Sequence, residues 1–94
     1  MNPFDLANKH IAVTGASSGL GHYFSGVLAA NGARVTLGAR RVEKLEEKVS
    51  EICAAGGTAT ALRLDVCDSE SIEAFIDAAA AEHGPIDVLI NNAG

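Results

Sequence analysis

The stretch HIAVTGASSGLG, residues 10–21, constrains this chain more than any other segment. His10 to Thr14 is a short apolar run ended by a glycine, which predicts a buried strand. Gly19 to Asn31 predicts a helix, with Leu20, Phe24, Val27 and Leu28 on one side and Asn31-Gly32 as its stop. A strand that passes through a short loop directly into a helix leaves the first helical N–H groups facing that loop. Those groups and the helix dipole attract an anion. The glycines stand at i, i+4 and i+6. Gly15 suits the tight turn off the strand. Gly19, without a Cβ, allows a phosphate to approach the backbone, and Gly21 allows the helix to lie close to the sheet. Ser17 and Ser18 add hydroxyl donors. Glycine spacing of this kind also occurs in plain strand–helix turns. The strand before it and the helix after it are what point to the pyrophosphate of a dinucleotide.

The rest of the chain repeats the alternation. Strands are predicted at Arg34 to Gly38, Thr58 to Leu64 and Ile86 to Ile90. Helices are predicted from Val42 to Ala55 and from Asp68 or Ser69 to about His83. In the first of these, Val42, Leu45, Val49 and Ile52 form one apolar stripe, and Glu43, Lys44, Glu46, Glu47 and Lys48 form a solvated face. In the second, Ile72, Phe75, Ile76 and Ala79 have core spacing, Asp68 or Ser69 is a cap, and Gly84-Pro85 ends the helix. The order β-α-β-α-β-α-β predicts an α/β fold with a Rossmann-type, doubly wound parallel sheet, all strand C-termini lying along one edge. Ninety-four residues allow one domain at most. A full dinucleotide fold uses two βαβαβ halves, so residues 1–94 are expected to be the N-terminal part of a larger single domain.

A net charge of −5 argues against a nucleic-acid or anionic-membrane partner, since both recruit clustered Lys and Arg. No apolar run approaches the ~18 residues that span a bilayer, and Met1 to Asn8 lacks a signal-peptide pattern. Cys53 and Cys67 have no metal-ligand spacing and are expected to be buried, reduced thiols. Together these features favour the cytoplasm. His10, His22 and His83 share no ligand spacing, so no metal site is expected.

Three further segments sit at predicted strand ends. Ala39-Arg40-Arg41 follows strand two, where NAD-binding folds often carry an acidic residue for the ribose 2′-OH. Two guanidiniums there suit a 2′-phosphate instead, although two solvated arginines opening a helix would read the same way. Asp65-Val66 ends strand three, where the carboxylate either accepts from an adenine amino group or serves as a turn residue. Asn91-Asn92-Ala93-Gly94 ends strand four with residues small enough for an adenosine to lie against the backbone.

Taken together, TGASSGLG, the LDV of residues 64–66 and NNAG resemble the short-chain dehydrogenase/reductase family over about Lys9 to Gly94. The loop spacing is similar to the family's shorter branch rather than to the extended branch, whose loop is TGxxGxxG. The resemblance implies that Ser17, Gly19 and Leu20 line the pyrophosphate and that Arg40 and Arg41 contact a 2′-phosphate. It places Asp65 and Val66 beside adenine, and Asn92, Ala93 and Gly94 beside the adenine ribose. It also implies hydride transfer between NADP(H), preferred over NAD(H), and a small-molecule alcohol or carbonyl, in a homo-oligomer, dimer or tetramer. The family's catalytic Ser and YxxxK motif lie downstream of NNAG, so no catalytic residue is assigned here. Tyr23, followed four positions on by Val27, does not supply that motif and is expected to be a structural residue of the first helix. The competing reading is a truncated or non-catalytic nucleotide-binding module. An isomerase or dehydratase on the same fold is a third.

Overall fold

The alternating pattern becomes seven elements: β1 (His10–Thr14), α1 (Gly19–Ala30), β2 (Arg34–Ala39), α2 (Glu43–Ala54), β3 (Thr58–Arg63), α3 (Ser69–His83) and β4 (Val88–Asn91). The computed structural model describes residues 6–17 and 19–92. The four strands are all parallel and lie in the order β3-β2-β1-β4. This is the α/β, Rossmann-type sheet that the element order implied.

β1 and β2 are central, with helices on both faces, and their apolar runs are buried along nearly their whole length. Alternate side chains separate the two faces. Ile11, Val13, Val35, Leu37 and Ala39 pack with Ala29 of α1 and with Leu45 and Ile52 of α2. Ala12 packs on the other face with Leu64 and with Phe75 of α3. Of the expected α2 stripe, Leu45 and Ile52 are buried and Val49 packs against them, while Val42 stands half-buried at the N-cap. Asp68, not Ser69, caps α3, its Oδ1 accepting the Glu70 N–H at 3.0 Å.

Four expectations need correction. The bulky side of α1 does not face the core: Leu20 is 64% and Tyr23 63% exposed, and Phe24 and Val27 are also exposed. Gly21, Ser25 and Ala29 turn inward instead, and of the expected stripe only Leu28 packs partly on the core. The cause is the short distance between α1 and the sheet. A Cβ on Gly21 would stand 2.9 Å from the Gly15 carbonyl oxygen and 2.5 Å from Asn92 Nδ2, so only small residues fit that side. Tyr23 is exposed rather than part of the core, and its ring meets Phe24 edge-on at 5.9 Å.

Cys53 and Cys67 are both exposed rather than buried. Cys53 follows the buried Ile52 by one helical position, which rotates it off the apolar stripe. Cys67 lies in the loop between β3 and α3. Finally, β4 runs Val88–Asn91 rather than Ile86 to Ile90. The N–H of His10 is taken by the Asp87 carboxylate at 2.8 Å, so regular pairing starts at Ile11 with Val88. Among the described residues, no helix is long and apolar enough to cross a membrane.

Candidate functional site

The C-terminal ends of the strands carry a cleft of about 650 Å³. That volume falls within the range usual for small-molecule sites, and the place is the crevice where open parallel sheets bind ligands. Its floor is the glycine turn after β1, with Gly15, Ser17 and Gly19 in its wall. Its far wall is the end of β2 and β3, with Arg40, Asp65 and Val66.

The turn is shaped for an approaching ligand backbone. Gly15 and Gly19 have φ of +64° and +63°, values that side-chain-bearing residues rarely adopt. A Cβ built on Gly19 meets nothing within 4 Å, so the residue opens onto free space beside the first turn of α1. Gly21 plays the opposite part, permitting contact within the protein. β4 secures the turn from the other side. Thr14 Oγ1 donates to Asn91 Oδ1 at 2.9 Å, and the Asn92 N–H donates to Thr14 Oγ1 at 3.3 Å. Asn92 Nδ2 reaches the Gly15 carbonyl at 3.4 Å.

A second recess opens beside the cleft and shares Ser17 and Arg40 with it, adding Arg41 and Lys44. Three of the seven lysines and arginines of a net-acidic chain therefore meet at one corner. No carboxylate lines that recess among the described residues. The sequence reading had left Lys44 on the solvated face of α2. The signal was present in its i, i+3 spacing from Arg41, which places both on one side of a starting helix.

Asp65 lines the cleft and also serves the turn. Its Oδ1 accepts the Cys67 N–H at 3.0 Å, while its own N–H donates to Ser71 Oγ at 2.9 Å. The turn reading of this residue therefore holds, and its carboxylate also stands in the cleft wall. Cys67, which carried no functional expectation, lines the cleft as well. Leu20 is exposed and does not line it, and Gly21 is buried under it. Asn92 lines it at the β4 end. Ser18, Ala93 and Gly94 lie outside the described residues.

Fold and cleft together define a Rossmann-type α/β protein with an open crevice at its strand C-termini. The family model for short chain dehydrogenases matches residues 9–94, and the chain belongs to that family. An uncharacterized oxidoreductase of Bacillus subtilis is 43% identical over 89 residues, covering 95% of this chain and 33% of that protein. The crystal structure of a metagenomic short-chain oxidoreductase in complex with NADP is 47% identical, with a TM-score of 0.90, covering 96% of this chain and 41% of the other. A short-chain type dehydrogenase/reductase from Mycobacterium marinum is 36% identical with a TM-score of 0.93, covering 97% and 37%. The chain spans about a third or less of the length of the curated relatives it matches.

Proposed function

We propose that these residues form the cofactor-binding part of a larger single domain, an oxidoreductase that prefers NADP(H) over NAD(H). The nicotinamide cofactor supplies or accepts hydride when bound, and an alcohol or carbonyl compound is its partner in the exchange. Gly15, Ser17, Ser18, Gly19, Leu20 and Gly21 form the pyrophosphate turn, where bare backbone and hydroxyl donors face the anion. Asp65 and Val66 border adenine, and Asn92, Ala93 and Gly94 border its ribose. The observation that carries the NADP preference is the corner of Ser17, Arg40, Arg41 and Lys44. A dianionic 2′-phosphate gains charge-assisted hydrogen bonds there, and a 2′-hydroxyl gains far less. The structure with bound NADP at 47% identity supports the same reading.

Titration of the full-length protein with both cofactors tests this proposal. NADP(H) is expected to bind at least tenfold tighter. Arg40→Ala is expected to weaken NADP(H) by about 1–3 kcal/mol, roughly 5- to 150-fold, and to leave NAD(H) nearly unchanged. Tighter binding of NAD(H) by the unaltered protein would overturn the preference. Further expectations are a small-molecule substrate, assembly into a homo-oligomer and a cytoplasmic location. The first two are read by activity against alcohol and carbonyl panels and by light scattering of the full-length protein.

A further inference from the structure

The recess of Ser17, Arg40, Arg41 and Lys44 beside the cleft has a volume of about 600 Å³. A single phosphate group fills only a small part of that space. Ser17 and Arg40 line both cavities, whereas Arg41 and Lys44 line the recess alone. The recess thus carries two cations that the cleft does not.

Arg40, Arg41 and Lys44 are all exposed. Among the described residues, no ion pair includes any of the three, and the pair on α2 is Lys48 with Glu51 at 3.5 Å. Glu43 and Glu46 lie in the first turn of α2, but neither lines the recess. The Lys44 N–H donates to the Arg41 carbonyl at 3.2 Å, which gathers these two residues at the start of the helix. Val42, the N-cap of α2, makes no side-chain hydrogen bond to the first-turn N–H groups. Like charges gathered in one recess repel, and a dianion among them relieves that repulsion.

We infer that this recess is an anion subsite that fills without the rest of the cofactor. Inorganic phosphate, as the dianion, enters it from solvent, displaces NADP(H) and leaves NAD(H) in place. The inference rests on the NADP(H) reading above, in which Arg40 and Arg41 receive the 2′-phosphate. A free phosphate held by the same side chains and Lys44 excludes that group. NAD(H) carries only a hydroxyl there, and its pyrophosphate and adenine use the glycine turn, Asp65 and Val66, which line the cleft. The surrounding phosphate concentration thereby sets how strongly one cofactor is favoured over the other.

Calorimetric titration of the full-length protein with NADPH and with NADH tests it, at a mildly alkaline pH where inorganic phosphate is a dianion. Each cofactor is titrated in chloride, and again with part of the chloride replaced by about 20 mM phosphate at equal ionic strength, which holds screening constant. For a phosphate dissociation constant of about 10 mM, NADPH should bind about threefold weaker in phosphate, and NADH should not weaken. Lys44→Gln removes a charge that lines the recess alone. If it weakens phosphate about fivefold, the effect on NADPH should shrink to about 1.4-fold. Weakening of NADH as large as that of NADPH, no weakening of NADPH, or an undiminished effect in Lys44→Gln would overturn the subsite. The chloride titrations keep the two ideas apart. Tighter NADH than NADPH there would sink the cofactor preference, whereas tighter NADPH that phosphate fails to move would sink this inference alone.

Discussion

The two faces of this sheet are held by different physics. Beneath α1 and α2 the strands contribute Ile11, Val13, Val35, Leu37 and Ala39, a continuous apolar surface sealed by Ala29, Leu45 and Ile52. Beneath α3 an apolar patch of Ala12, Leu64 and Phe75 covers only part of the face. Leu62, Ile72 and Ile86 pack against that patch. The His10–Thr36–Thr60–His83 chain, in which each ring bonds a threonine hydroxyl and the two rings meet edge to face, lies on the same face. The first face depends on area removed from water, which is insensitive to pH. The second depends on hydrogen bonds among polar groups, of which His10 and Thr36 are buried and are orphaned if a partner is lost. The glycine turn stands over the first face, where α1 comes so close that only Gly21, Ser25 and Ala29 fit beneath it. The glycine-turn side of the cleft therefore rests on the layer whose stability does not vary with protonation.

The sharpest way to break this division is to damage each face and compare the pH response. Leu45→Ala, at a fully buried position, is expected to cost about 2–5 kcal/mol in urea unfolding. The loss should be the same at pH 5.5 and pH 8, and a loss that changed between them would remove the contrast. Thr36→Val leaves Nε2 of the buried His10 without a donor, at an expected cost of about 1–3 kcal/mol. A neutral or stabilising result would show that the polar chain on the α3 face is slack. Asp68→Ala removes the cap of α3 and should cost about 1 kcal/mol. Its effect should appear first as faster amide exchange at the start of α3, not in α1 or α2.

The smallest effect is the pH dependence that His83 confers. Its proton affinity is lowered in the folded protein, so the unfolded chain binds the proton more readily. Stability from this group is complete above the unfolded value of 6.5 and declines as pH falls toward the lowered folded value. His83→Gln should flatten that part of the stability curve while changing stability at pH 8 only slightly. A curve that instead rises on acidification would contradict the assigned direction.

Local chemistry explains why much of this molecule was legible from its sequence. The strand–glycine–helix segment at residues 10–21 constrains backbone geometry over a few residues. The required φ values at Gly15 and Gly19 depend on having no side chain, and that is written in the residue type. The α2 stripe followed directly from helical period. The inward face of α1 did not, because large apolar residues on one side suggested a core contact. Only the distance from Gly21 to Gly15 and Asn92 shows that the sheet admits small residues there. The cysteines were misplaced for a related reason: residue type carries an average tendency to burial, and position on the helix or in the loop overrode it.

The identity of the site belongs to an intermediate case. Each lining segment could be named in advance because strand ends in a parallel sheet share one edge. The joining of Lys44 to Arg40 and Arg41 required the start of α2 to be seen in place. By itself, then, the order of residues determined the elements, the glycine turn and the family, since each rests on short-range periodicity or on one residue's conformational freedom. Tertiary structure alone decided which side of α1 is covered, which cations share a recess and that His10 meets His83. Those outcomes depend on distances between parts far apart along the chain, and no local pattern encodes them.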